Sequence, residues 1–295
     1  MNLRQLQYAV QLAEVRSFSQ LAENLNISQP ALSKHIQALE SELGVKLFDR
    51  NTSPLVLTPA GESFLGRAKD LLYRESQLLR CMEEYRSGEA GQLTIGVSPF
   101  RSTYLMPRFL SKLRSKYPGL KIVLHEASSD ELRKGAAEGK YDFAVVNLPV
   151  DEAVLEALPI KQESLVLAVP LKFCGALSKG EEIADFSVFK DIPFVAVSQF
   201  QEMRCIFDKL CEQAGFIPDI AAEVIALNTA KAMVCEGIGA AVLPEQLVKD
   251  EEAQGSLLLF PLGDKYSIRQ PVVVYKRGQY ISQYADYAID ILQKL

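Results

Sequence analysis

The spacing of apolar residues changes near residue 90, and this change constrains the fold more than any other feature of the chain. Before it, apolar residues recur at the three- and four-residue intervals of helices. After residue 92, strand-length apolar runs alternate with helical stretches. The segment between them, Ser87-Gly88-Glu89-Ala90-Gly91, has the small and polar residues of a linker. With 295 residues, the chain is long enough for two or three domains.

The first 58 residues predict short helices followed by a small β-hairpin. Ser19 can cap a short helix over 20–25, and a longer helix over 29–43 ends at Gly44, a favourable C-cap residue. Two apolar runs then flank the turn-forming segment Asn51-Thr52-Ser53-Pro54, which predicts the hairpin. Two helices joined by a tight turn form the arrangement that places the second helix in the major groove of DNA.

The helix over 29–43 has one apolar and one polar face. At about 100° per residue, the apolar face contains Leu32, Ile36, Leu39 and Leu43, and the opposite face contains Pro30, Ser33, Lys34, Gln37 and Ser41. Such a polar face can hydrogen-bond to base edges, although any surface helix also has one. His35 lies beside the apolar face, which favours packing within the domain.

The charge of the first 58 residues is balanced. The five basic residues equal the five acidic ones, so the net charge is zero; they are Arg4, Arg16, Lys34, Lys46 and Arg50 against Glu14, Glu23, Glu40, Glu42 and Asp49. Because phosphate neutralisation supplies most non-specific affinity for DNA, we expect one copy of this region to bind weakly and a dimer to be required.

A long helix follows, from Thr58-Pro59 to about residue 86. Two series of apolar residues are spaced by seven along it, namely Phe64, Leu71, Leu78 and Tyr85, and Leu65, Leu72 and Leu79. This double stripe favours helix–helix contact in a dimer, as in coiled coils. Packing against its own domain is the alternative.

From residue 92 onward, alternating strands and helices predict mostly parallel sheets arranged in two α/β lobes. Ligands of such folds bind in the crevice beyond the carboxyl ends of the strands. Ser98 and Arg101 follow the first strand there and favour an anion, with ordinary capping and a solvated surface as their alternatives. Ser128 follows the second strand and either caps a helix with Glu131 or contacts a ligand.

One segment resembles the signature of LysR-type transcriptional regulators: Ser17-Phe18-Ser19-Gln20-Leu21-Ala22-Glu23-Asn24-Leu25-Asn26-Ile27-Ser28-Gln29-Pro30-Ala31-Leu32-Ser33-Lys34-His35-Ile36. The match continues through Leu39-Glu40, Leu43-Gly44, Leu47-Phe48, Arg50 and Leu57-Thr58-Pro59-Ala60-Gly61. It extends more loosely to 139–144 and 237–244. After Arg50 the chain lacks the further basic residue that the family often carries in its wing.

The resemblance implies an α/β protein with an N-terminal winged helix-turn-helix (1–58), a long dimerising linker helix and hinge (59–90), and a two-lobed α/β effector domain resembling periplasmic binding proteins (91–295). Lobe I would comprise 91–164 and 269–295, and lobe II 165–268. The implied partners are double-stranded DNA with an interrupted palindrome, a second copy in a dimer or tetramer, RNA polymerase and a small effector. We expect the effector to bear a carboxylate.

Two sets of residues are predicted to contact these partners. The DNA set is Ser28, Gln29, Pro30, Ser33, Lys34, Gln37, Arg50 and Thr52. The effector set, carried over from the family, is Ser98, Phe100, Arg101, Ser128, Asn147, Ser198 and Phe200. We predict no cofactor and no metal, because the five cysteines form no CxxC pair and the two histidines lie far from them.

Three other functions compete with a ligand-responsive regulator. A redox sensor would use Cys205 and Cys211, but six helical residues rotate the two thiols about 240° apart and separate them by about 9 Å along the axis. A solute-binding protein would leave 1–90 without a purpose. An enzyme is not expected, since GxSxG, GxGxxG after a strand and Walker motifs are absent. Without a signal-peptide core or a membrane-length apolar run, the chain is expected in the cytoplasm.

Overall fold

The computed structural model describes residues 1–50, 52, 54–87, 91–175, 185–199, 201–262 and 268–295, with the side chains of 80 and 83–87 excepted. The described backbone forms two compact units, Met1–Gly88 and Glu89–Leu295. No helix in these described ranges has both the length and the apolar composition needed to cross a lipid bilayer.

The first unit contains four helices and a two-stranded sheet among its described residues. Its elements are α1 (Leu3–Val15), α2 (Phe18–Asn24), α3 (Gln29–Leu43), β1 (Phe48–Asp49), β2 (Val56–Leu57) and α4 (Pro59–Ser87). The strands pair antiparallel, which confirms the predicted hairpin. Leu32, Ile36 and Leu39 of α3 are fully buried against α1 and α2, as their spacing predicts.

Two local predictions in this unit are wrong. The cap of α2 is Ser17 rather than Ser19, because the Ser17 side chain accepts from the backbone N–H of Gln20 at 3.3 Å. Leu43 was placed on the buried face of α3 but is 36% exposed, since it lies in the last turn beside Gly44. Gly44 has φ of 71°, the left-handed conformation expected of a helix-terminating glycine.

The second unit contains two lobes, each with its own sheets and apolar clusters. Lobe I contains β3 (Gln92–Val97), α5 (Pro99–Tyr104), α6 (Met106–Lys116), β4 (Lys121–Glu126), α7 (Ser129–Ala137), β5 (Phe143–Asn147), β6 (Leu155–Pro159), β13 (Pro271–Lys276) and α11 (Gln283–Gln293). Its strand order is β4-β3-β5-β13-β6. The fully buried strand β5 runs through the middle of this sheet.

Lobe II contains the remaining elements of the second unit. They are β7 (Glu163–Pro170), β8 (Pro193–Val197), α8 (Glu202–Gln213), β9 (Asp219–Val224), α9 (Leu227–Cys235), β10 (Ala241–Pro244), α10 (Glu245–Ala253), β11 (Leu257–Pro261) and β12 (Ile268–Arg269). Strand β7 pairs with β10, β11 and β12, and β8 pairs with β9.

The expectation of mostly parallel sheets is wrong. Among the strands in the described part of the chain, the parallel pairs are β3 with β4, β3 with β5, and β8 with β9. The pairs of β7 with β10, β11 and β12, and of β13 with β5 and β6, are antiparallel. The reason is that β7 and β13 run against their neighbours. Most of these pairings join segments far apart in the chain, which alternation of elements alone does not reveal.

Candidate functional site

Helix α3 presents a polar, exposed surface in the first unit. Gln29, Pro30, Lys34 and Gln37 are exposed and Ser33 is half-buried, while Leu32, Ile36 and Leu39 of the opposite face are fully buried. Ser28 caps the helix by accepting from the backbone N–H of Ala31 at 3.3 Å. His35 packs on Tyr8 with ring centroids 5.2 Å apart, as the sequence predicted.

Arg50, at the tip of the hairpin, is held by the helix rather than standing free. Its guanidinium donates to Ser33 Oγ and to Glu40 Oε2, each at 3.2 Å, and lies 5.1 Å from the centre of the Phe18 ring. The hydroxyl of Thr52 donates a hydrogen bond to the backbone oxygen of Asp49 at 3.1 Å. The hairpin and the polar face of α3 therefore form one connected surface.

Glu40 anchors this surface from within the core. Its carboxylate accepts from the backbone N–H groups of Leu47 and Phe48 at 2.9 and 3.3 Å and pairs with Lys46 at 3.3 Å and with Arg50. Only 1% of its side chain is exposed. Sequence analysis gave Glu40 no structural role. Its place four residues after buried Ile36, on the same face of the helix, was a signal that it turns inward.

A cleft of about 840 Å³ lies between the two lobes of the second unit. Five of the seven predicted effector residues line it, namely Ser98, Phe100, Arg101, Ser128 and Asn147. Ser198 is not among the lining residues; its backbone N–H bonds to Val224 at 2.9 Å. Phe200 lies outside the described residues, as do Asn51 and Ser53 of the predicted wing.

The place of Arg101 after β3 predicted a free positive charge in the cleft. The structure shows instead that this charge is paired. Arg101 is 2% exposed, which also excludes the alternative of a solvated surface residue. Its Nε and Nη2 donate to the two carboxylate oxygens of Glu163 at 2.7 and 2.8 Å. Nη2 also donates to Asn147 Oδ1. Arg101 therefore joins the wall of lobe I to the start of β7.

Glu163 is shared between two arginines. Arg269 donates to it from β12 at 2.8 Å, in the register where β12 pairs with β7. Burial alone would raise the pKa of Glu163, but the ion pairs with Arg101 and Arg269 hold that pKa below its usual value. Sequence analysis missed Glu163 and Arg269, because their partners lie 62 and 106 residues away along the chain.

The serines of the cleft serve mainly as helix caps. Ser128 and Glu131 form a reciprocal capping box at the start of α7, so the capping alternative for Ser128 holds. The hydrogen bond to Ser128 lowers the pKa of Glu131. Ser98 accepts from the N–H of Arg101 at the start of α5.

Two helices of lobe II begin at the cleft without a side-chain cap. Helix α8 follows Gln201 and α9 follows Ala226, and neither of these residues caps its helix with a side-chain hydrogen bond. Residues of both first turns line the cleft. Uncapped N–H groups and the positive end of the helix dipole favour an anion.

The two cysteines of the redox alternative occupy different surroundings. Helix α8 is continuous, with Cys205 exposed at the cleft and Cys211 buried in the core of lobe II. Burial, reinforced by the charge of Asp208, raises the pKa of Cys211 to about 12. A protonated, buried thiol reacts slowly with peroxide, since the thiolate is the nucleophile.

Two family models together match nearly the whole chain. Residues 3–62 match the bacterial regulatory helix-turn-helix protein, lysR family, and residues 86–295 match the LysR substrate binding domain. The chain belongs to the LysR family. This membership sets aside a solute-binding protein without DNA function, because the helix-turn-helix is part of the match. LysR proteins are transcriptional regulators, and this chain is a DNA-binding transcriptional regulator with an effector-binding domain.

Relatives from several bacteria share the full LysR architecture. YcgK of Bacillus subtilis, an HTH-type regulator, is 30% identical, with 96% of this chain and 91% of YcgK aligned. The hydrogen peroxide-inducible genes activator of Dickeya chrysanthemi is 31% identical, with 94% and 90% aligned. Full-length OxyR from Pseudomonas aeruginosa superposes with a TM-score of 0.69 at 25% identity, covering 100% of this chain and 94% of OxyR.

Proposed function

We propose that this LysR-type regulator senses a small carboxylate-bearing metabolite in the cleft between lobes I and II. The observation that carries the proposal is the pair of uncapped helix starts, α8 and α9, at one cleft. Their N–H groups supply anion-binding donors that the tied guanidinium of Arg101 does not. The predicted effector residues Ser98, Phe100, Ser128 and Asn147 belong to the same proposed site.

The proposed DNA surface is the exposed face of α3 with the tip of the hairpin. It comprises Ser28, Gln29, Pro30, Ser33, Lys34, Gln37, Arg50 and Thr52. Support comes from the exposure of Gln29, Lys34 and Gln37 and from the bond that fixes Arg50 on Ser33. Because this unit carries no net charge over 1–58, two copies must share the DNA.

The proposed organisation is the one that the family resemblance implies. Residues 1–58 bind DNA, 59–90 form the dimerising helix and hinge, and 91–295 bind the effector. Dimers, or tetramers built from them, would occupy an interrupted palindrome and affect RNA polymerase there. CbnR, 21% identical with a TM-score of 0.64, has been solved in complex with its target DNA. The cytoplasm is the proposed place of action, because double-stranded DNA lies there.

Footprinting on the DNA upstream of the protein's own gene tests the DNA function. We expect protection of two half-sites on one face of the duplex, and no protection at any specific sequence would contradict the proposal. Calorimetry against a panel of organic acids tests the effector class. Binding restricted to uncharged compounds would contradict a carboxylate-bearing effector.

A further inference from the structure

Four charged side chains meet at the cleft, three of them lining it and Glu163 directly behind them, and their charges balance. Arg101 and Arg269 carry the positive charges and Glu163 and Glu202 the negative ones, with Asn147 hydrogen-bonded between them. Asn147 accepts from Arg101 through Oδ1 and donates to Glu202 through Nδ2. Its amide orientation is thus consistent with a cation on one side and a carboxylate on the other.

Glu202 is the exchangeable member of this network. Its side chain is 38% exposed, whereas those of Arg101, Glu163 and Arg269 are 3%, 7% and 8% exposed. Glu202 lies 3.7 Å from Arg269 Nη1, while Glu163 makes three hydrogen bonds of 2.7 to 2.8 Å. A solute entering the cleft therefore meets Glu202 first and competes with the weaker partner.

The position that Glu202 fills has the donors of a carboxylate subsite. Without Glu202, Asn147 Nδ2 and Arg269 Nη1 would lose their acceptor, and the remaining three charges would sum to +1. Arg269 Nε is also buried without an acceptor among the described residues. Unpaired buried donors and a net positive charge favour the entry of another carboxylate.

We propose that Glu202 acts as an internal substitute for the effector, occupying the subsite that the effector carboxylate takes over at Asn147 and Arg269. This inference rests on the proposed effector function and names the residues that bind the carboxylate of the effector. Glu202 is the first residue of α8 in lobe II, and Asn147 ends β5 in lobe I. Displacing Glu202 therefore replaces a direct bond between the lobes by one that passes through the effector.

The test measures how two simple carboxylates, acetate and succinate, bind the full-length protein by calorimetry at constant ionic strength. Glu202→Ala empties the subsite, and Glu202→Gln removes the charge but keeps an amide that Asn147 can bind. We expect Glu202→Ala to bind the probes about tenfold more tightly than wild type, which is about 1.4 kcal/mol. Glu202→Gln should lie between them.

Asp130→Asn is the matched control. It removes one carboxylate from the same cleft. Asp130 pairs with Arg133 at 2.7 Å, and Arg133 donates to the backbone oxygen of Asn147 rather than to the side-chain amide that defines the subsite. Its affinity for both probes should stay within about twofold of wild type, because electrostatic effects of exposed pairs are small. An equal gain in Asp130→Asn and Glu202→Ala would overturn the inference, since it would show a general charge effect.

A further variant separates the subsite from the rest of the cleft. Adding Asn147→Leu to Glu202→Ala should abolish the tenfold gain, and a gain that persists would contradict the role of Asn147. If none of the variants bound acetate or succinate, that result would also contradict the inference. Footprinting with the same proteins reports the DNA function separately, so the loss of one conclusion leaves the other measurable.

Discussion

Two buried carboxylates hold together segments that are distant in the chain. In the first unit, the carboxylate of Glu40 accepts hydrogen bonds from the backbone N–H groups of Leu47 and Phe48 at the start of the hairpin. In the second unit, the carboxylate of Glu163 forms ion pairs with Arg101 and Arg269. A buried carboxylate is stable only when its oxygens are satisfied, so each of these residues specifies the position of its donors as well as its own.

Replacing Glu40 by alanine should destabilise the first unit strongly. The change leaves two backbone N–H groups without their acceptor, and we expect a loss of about 3 kcal/mol in the free energy of unfolding. Urea unfolding of wild type and variant measures it. Glu23→Ala, at an exposed position of α2, should change stability by less than about 0.5 kcal/mol. Equal losses in both variants would contradict the anchoring role.

Glu163 should make stability depend on pH in the acid range. Its pKa in the folded protein is lower than the ordinary value of 4.5, so its contribution is complete above that value. The contribution is lost as the pH falls below 4.5 towards the folded-state pKa. Urea unfolding across this range should show a shallower acid decline for Glu163→Gln than for wild type. Glu212→Gln, an exposed control on α8, should follow the wild-type curve.

At the scale of elements, a glycine determines how α4 meets the hairpin. A Cβ at Gly61 would collide with the backbone oxygen of Leu47 and lie 3.1 Å from a methyl group of Leu57. Thr58 reinforces this junction, because its hydroxyl donates to the Lys46 oxygen at 2.6 Å and accepts from the Gly61 N–H. These contacts hold the first turn of α4 against the segment that leads into β1.

Gly61→Ala should therefore destabilise the first unit by about 2 kcal/mol, through overpacking against backbone that cannot move aside. Gly66→Ala, one turn further along the same helix, meets nothing within 4 Å. It should stabilise by about 0.5–1 kcal/mol, because alanine favours helix. Thermal unfolding measures both changes. A neutral Gly61→Ala would show that the junction is not close-packed in solution.

The face of α3 gives a second prediction at this scale. Lys34→Ala and Ser33→Ala should each weaken operator binding about tenfold, and Lys34→Ala should also lower the salt dependence by about one ion. Neither residue belongs to the core, so unfolding free energies should stay near wild type. Ser41→Ala, exposed on the same helix but outside the predicted contacts, serves as the control. A comparable loss of stability in Ser33→Ala and Lys34→Ala would refute the assignment of the face.

Elements with local signals were predictable from the sequence, and those built by distant pairing were not. Apolar periodicity and caps located α3, the hairpin and α4. The order of the strands was not predictable, because β7 and β13 pair with strands that lie far away in the chain. For the same reason Arg101 was recognised as a residue of the cleft, while its partner Glu163 was not.

At the scale of the whole molecule, α4 bears an apolar surface that the described part of one chain leaves uncovered. Leu71, Leu78 and Leu79 are 47%, 61% and 62% exposed. Exposure of three leucines on one helix is costly in water, which supports the proposed dimer. Leu71 and Leu78 are seven residues apart, and Leu79 is seven residues after Leu72, so both series suit contact with a second copy of the same helix.

The double substitution Leu78→Glu and Leu79→Glu should convert the dimer to a monomer. Four glutamates brought together across a two-fold contact would repel one another and leave no apolar seam. Sedimentation velocity measures the change in mass. Ser76→Glu, exposed on α4 but outside both leucine series, should remain dimeric. A double variant that still sediments as wild type would place the dimer contact elsewhere.

Arg269 of β12 pairs with Glu163 of β7, close to the two points where the chain crosses between the lobes. This ion pair therefore links the two crossing segments to each other. We expect any opening or closing of the lobes to bend the chain near this ion pair, because both passages between the lobes lie beside it. Substitutions of either residue are therefore expected to alter the regulator's response, Glu163 through the link between the lobes and Arg269 also through the proposed carboxylate subsite. Screens for constitutive or unresponsive regulators should recover both positions.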